Sequence, residues 1–124
     1  MPAATTIGHV HLHVSQLDPA VNFYRGLLGF GDQGVSSRLG AAFVSAGGYH
    51  HHIGLNTWLG AGAPPPPPDS VGLRYFTIVL PHQAELDRLV GRLQQAGIPV
   101  EPVEAGVLTR DPSRNGMLLA LPSA

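Results

Sequence analysis

The chain has 124 residues, room for one core of ordinary size, and 44% of them are apolar, which favours a folded soluble domain. Its formal net charge is −1 and its seven basic residues, all arginine, are scattered, so no basic stripe invites nucleic acid as a partner. Cysteine is absent, which excludes disulfides, thiolate metal sites and cysteine nucleophiles together.

No apolar run approaches membrane-spanning length, and Met1-Pro2-Ala3-Ala4-Thr5-Thr6 lacks the basic and apolar regions of a signal peptide. A cytoplasmic protein with no membrane contact is expected. Only 12% of residues are charged, so oligomerisation is expected to cover part of the apolar surface.

In chain order, residues 7–14 come first. Val10, Leu12 and Val14 alternate with His9, His11 and His13, the period of a strand. Asp18-Pro19 supplies an N-cap and a favoured first helical residue, Phe23, Tyr24 and Leu27 make an apolar stripe, and Gly29 stands where helices stop. A helix over about 18–28 is predicted. Residues 74–80 read as a second first-strand, and 83–95 as a helix with Leu86, Leu89, Val90 and Leu93 on one face, stopped by Gly97.

A shift of 66 residues superposes the two halves without a gap. It pairs Val14 with Leu80, Phe23 with Leu89 and Leu27 with Leu93, and it carries on to lay 42–55 over 108–121. The predicted fold is therefore α+β: two βαβββ modules, at about 7–58 and 73–122, within one domain spanning 1–124. Between them, residues 60–70 contain prolines 64 to 68 and form a stiff extended linker that cannot be a central strand. Asn115-Gly116 is a strong turn signal, and Arg110 beside Asp111 is expected to steady the last hairpin.

Two such modules, with Gly8-His9 opening the first strand and the segment Asp18 to Phe30 after it, resemble the vicinal oxygen chelate superfamily, which holds glyoxalases, extradiol dioxygenases and bleomycin-resistance proteins. The run Ser45 to Trp58, with His50-His51-His52 at its centre, is similar to the catechol-2,3-dioxygenase-like branch, and Asp111-Pro112-Ser113 fits the turn before that family's last strand. The resemblance implies strands curled into a cup, completed by pairing modules across a homodimer.

It also implies a metal site of two histidines and one glutamate. His9 matches the first ligand, but Tyr75 and Leu118 stand where the second and third are implied, and Leu108 replaces a tyrosine common near the turn. His52 matches the family's acid–base histidine. A lone imidazole and a neutral phenol hold iron poorly, since tyrosine ligates only after losing a proton near pH 10.

The sequence therefore points to a binding protein without a cofactor, in which His9, His50, His52, Trp58, Tyr75, Leu108 and Leu118 line a pocket for an aromatic natural product or antibiotic, as a bleomycin-resistance protein would. The alternative is a metal-dependent ring-cleaving dioxygenase or glyoxalase-like lyase, with Fe(II), Zn(II) or Ni(II) on His9 and His52, or with His52 as acid–base. His11 and His13 are expected on the surface or at an interface. His51 is expected to point away from His50 and His52, and Trp58 to serve as pocket wall or interface plug.

Overall fold

In the computed structural model, residues 1–3 and 8–123 are described, so Ile7 of the predicted first strand lies outside them. The chain divides into two compact units, Met1–Ala63 and Pro64–Ala124. Each has the order strand, helix, three strands.

In the first unit these are β1 (Val10–His13), α1 (Leu17–Val21), β2 (Gly31–Ser36), β3 (Ala41–Ser45) and β4 (Ile53–Asn56). The sheet runs β1-β4-β3-β2, with β1 parallel to β4 and the remaining neighbours antiparallel. In the second unit β5 (Phe76–Val79), α2 (Gln83–Gln95), β6 (Val100–Val103), β7 (Gly106–Arg110) and β8 (Gly116–Ala120) give the matching order β5-β8-β7-β6. The α+β fold of two βαβββ modules is thus observed.

The period-2 and period-3.6 patterns put their apolar positions inside. Leu12 and Val14 are buried while His11 and His13 are exposed, and α2 buries Leu86, Leu89 and Leu93. Burying each such leucine contributes about 1.5–3 kcal/mol. Both predicted helix stops take a left-handed backbone, Gly29 at φ 86° and Gly97 at φ 74°.

Three expectations change. The first helix starts at Leu17 with Gln16 at the N-cap, so Asp18 lies in the first turn, where its charge still suits the helix dipole. The helix then continues from Asn22 to Leu27 with wider π-type turns, and Leu28 N–H closes on Phe23 O at 3.0 Å. Finally, Asn115-Gly116 is not a two-residue hairpin turn. Gly116 already pairs with Arg110, and the positive φ of this loop, 71°, falls on Arg114.

The order in that loop comes from Asp111, which is only 3% exposed. Its Oδ1 accepts the N–H groups of Ser113 (2.8 Å) and Asn115 (2.9 Å), and Oδ2 accepts Asn115 Nδ2 at 2.9 Å. Asp111→Ala leaves these donors without their acceptor and is expected to cost about 2–3 kcal/mol. The midpoint of urea unfolding measures it, and an unchanged midpoint would show that the loop contributes nothing to stability.

The gapless shift needs a correction with consequences for the site. Val10 pairs with Ile53, whereas its counterpart Phe76 pairs with Met117, so the offset is 66 in the first strand and 64 in the last (117 − 53). The same offset appears in Val14 N–H to Asn56 O and Leu80 N–H to Ala120 O, at 2.7 and 2.8 Å. Residues 46–52 join β3 to β4 while only 111–115 join β7 to β8, so the first module's loop is longer. His52 therefore corresponds to Gly116, and Leu118 corresponds to Gly54.

Candidate functional site

The longer loop carries the triple histidine. Gly47 and Gly48 turn the chain with φ of 68° and 76°, a pair of left-handed conformations that side-chain-bearing residues adopt at a cost. The far end is tied into the sheet: His52 N–H donates to Val44 O and Val10 N–H donates to His52 O, both at 2.9 Å. Ala46 N–H donates to His52 Nδ1 at 3.1 Å. The loop is thus pinned at its ends, and His50 and His51 are carried between the pins.

Those pins bring His51 to His9, one residue before β1, with ring centroids 4.4 Å apart. His50 lies 4.7 Å from His51. One ligating nitrogen from each of His9, His50 and His51 falls within 4.8 Å of the others, and among the described residues this is the group of histidine and carboxylate side chains that could hold a metal. His52, expected to share a metal with His9, is not among these three, whereas His51, expected to point away, lies against His9 and His50. Strand parity fails there because β4 begins only at Ile53, so residue 51 belongs to a loop.

A row of rings extends from this trio. Phe43 lies 5.0 Å from His51 and 6.1 Å, edge-on, from His11, and His11 lies 5.3 Å from Trp58. The sheet register explains the contacts, since His11 and Phe43 both pair with Gly54. A Cβ on Gly54 would come within 2.8 Å of His11 Nδ1, so the absent side chain makes room for the imidazole. Trp58 is 63% exposed, yet its Nε1–H donates to Leu39 O at 2.8 Å and its backbone N–H to Asn56 Oδ1 at 3.1 Å. His13 Nδ1 donates to the same Asn56 oxygen at 2.9 Å.

The remaining predicted site residues lie in the second unit. Tyr75 stands one residue before β5, as His9 stands before β1, and is 42% exposed. Leu108 and Leu118 are register partners on β7 and β8, Leu118 buried and Leu108 half-buried.

Electrostatics disfavour protonation at His51 and His11. His51 is held below the ordinary value of 6.5, first by desolvation and then by repulsion from His9, His50, His11 and His52 if they are protonated. Desolvation, with His9 and His13, lowers His11 in the same way. A lowered folded value means that the unfolded chain binds the proton more readily, so these groups contribute nothing above pH 6.5 and destabilise the fold as pH falls below it. The unfolding temperature is expected to drop on acidification below 6.5, and His51→Phe to flatten that slope. An identical slope in the variant would exclude His51 as a source.

Three imidazoles fit a divalent transition metal. A three-histidine set leaves a coordination position open, and imidazole suits Zn(II), Fe(II) and Ni(II) alike. No helix among the described residues is long and apolar enough to cross a membrane.

Comparison with known proteins agrees with this fold. Residues 6–106 match the Glyoxalase/Bleomycin resistance protein/Dioxygenase superfamily. A curated protein from Bacillus subtilis (strain 168), named catechol-2,3-dioxygenase, is 52% identical over 112 residues, 90% of this chain. The chain spans only 39% of that relative's length.

Among solved structures, a glyoxylase/bleomycin resistance protein/dioxygenase domain from Frankia sp. EAN1pec aligns with TM-score 0.75 at 21% identity, covering 98% of this chain and 100% of that one. A lactoylglutathione lyase from Agrobacterium tumefaciens aligns with TM-score 0.71 at 21% identity, covering 97% and 96%. At these identities the structures speak for the fold alone. With most of its length matched by the family and both modules folded in the family's order, the chain belongs to the glyoxalase/bleomycin resistance protein/dioxygenase superfamily.

Proposed function

We propose that this chain acts on a catechol-type aromatic small molecule as a metal-dependent ring-cleaving dioxygenase, with His9, His50 and His51 as the metal ligands. The observation that carries the reading is the convergence of the three imidazoles to within 4.8 Å, in a chain 52% identical over its matched length to a protein named for that activity. This moves the weight from capture of an antibiotic without a cofactor to the alternative of chemistry at a metal. Bound there, Fe(II) would supply open positions for a diol and for dioxygen.

The chain's own residues supply the rest. Phe43, His11 and Trp58 offer ring faces against which a flat aromatic molecule stacks, and such contacts contribute about 0.5–1.5 kcal/mol each beyond burial. His51, whose protonation is disfavoured by desolvation and by the neighbouring histidines, offers a lone pair to a metal. His52, with Nδ1 already accepting the Ala46 amide, is not free at that nitrogen to take a proton or a metal.

One observation favours the second reading, binding of an aromatic natural product without turnover: the trio contains no carboxylate, unlike the facial triad of many iron oxygenases. Anaerobic loading with Fe(II), followed by catechol and oxygen, separates the two. Oxygen uptake with formation of a yellow ring-opened product supports the enzyme. Absence of uptake, with aromatic ligands binding equally well with and without metal, would establish capture instead.

A further inference from the structure

The geometry points to His52 as the positioning residue of the metal-binding loop, acting through the acceptor lone pair of Nδ1 and not as a ligand. This rests on the proposed metal site. Residues 47–51 form the span that carries two of the three ligands, and a Cβ at Gly47 or Gly48 would meet no atom within 4 Å beyond its chain neighbours, so the turn itself is open on that side. Besides the backbone bond from His52 N–H to Val44 O, the span is bridged by the 3.1 Å hydrogen bond from Ala46 N–H to His52 Nδ1, made between residues six apart.

His52 is itself fixed. Its N–H and C=O are both used in the sheet, to Val44 and from Val10, and its ring lies 4.8 Å from that of Tyr49 within the span. The ring thus links the rigid ladder to the loop's first residue and to its middle. Because Nδ1 accepts a backbone N–H, it is unprotonated, and a neutral ring carries its proton on Nε2. Outer partners that orient metal ligands typically change affinity by about 10–100-fold when removed.

Asparagine tests this, because its Oδ1 occupies nearly the place of Nδ1 and accepts the same hydrogen bond without an imidazole. Zn(II) affinity of the full chain is measured by calorimetry for the wild type, His52→Asn and His52→Ala. The expected result is an affinity within about threefold of wild type for His52→Asn and a loss of about tenfold or more for His52→Ala. An equal loss in both variants, or no loss in His52→Ala, overturns the proposal.

Two further readouts keep it falsifiable. In wild-type protein, nitrogen NMR on adding Zn(II) should move the ring resonances of His9, His50 and His51 while His52 keeps its Nε2–H form; a metal-ligated His52 overturns the proposal without any variant. In metal-free protein the Ala46 amide should exchange slowly in wild type and His52→Asn and faster in His52→Ala. If wild type binds no Zn(II), the metal reading fails, and the exchange pattern still decides whether His52 closes the loop: equal rates in all three would refute it.

Discussion

His51→Ala is expected to weaken metal binding at pH 7.5 by at least about a hundredfold while leaving the fold intact. His51 is the centre of the trio, in ring contact with both His9 and His50, and removing one of three chelating imidazoles leaves two donors with no third to close the site. The residue is half-buried at most and lies in a loop, so its loss removes little packing. Calorimetric titration with Zn(II), alongside circular dichroism, checks both halves of the expectation. Retained affinity would mean that the metal, if bound, sits elsewhere.

Gly106→Ala is expected to remove most of the folded population, with a cost on the order of 4 kcal/mol or more against a typical total of 5–15 kcal/mol. Gly106 opens β7 after the turn at Glu104 and Ala105, with φ 151°, a conformation that side-chain-bearing residues rarely adopt. A Cβ there would lie 2.1 Å from Leu119 O and 3.2 Å from Ala120 Cα. These are backbone atoms of the central strand β8, so no side-chain rotation relieves the clash. Soluble yield and thermal unfolding test it. A variant that melts with the wild type would show that β7 and β8 are not as close as described.

Much of the fold was legible because it depends on patterns that residues announce locally. The alternation of Val10, Leu12 and Val14 with histidines specifies a strand with one buried face, and α2 forms at 83–95 with its leucine stripe buried. The hairpin at Glu104-Ala105 was not legible, since neither residue is the glycine or asparagine that marks tight turns. A stronger turn signal, Asn115-Gly116, stands instead at a loop organised by the buried Asp111 carboxylate.

The triple histidine and His9 were legible as site candidates, but the grouping of His9 with His50 and His51 was not. A fixed shift assumes equal connections, but the offset is already 65 between β3 and β7 (106 − 41), and the segment joining β3 to β4 is longer than the one joining β7 to β8. Strand parity carried through that segment pairs His50 with His52, whereas the loop turns His50 and His51 toward His9. The Gly47-Gly48 pair just before the histidines was the available signal that the strand period stops there.

His9, His50 and His51 are the residues proposed to hold the metal. X-ray absorption at the metal edge, on protein loaded with one equivalent of Zn(II) and purified without an affinity tag, reads the ligands directly. The expected first shell has three imidazole nitrogens plus water, falling to two in His51→Ala. A shell without imidazole nitrogen, or one unchanged in His51→Ala, would contradict the claim.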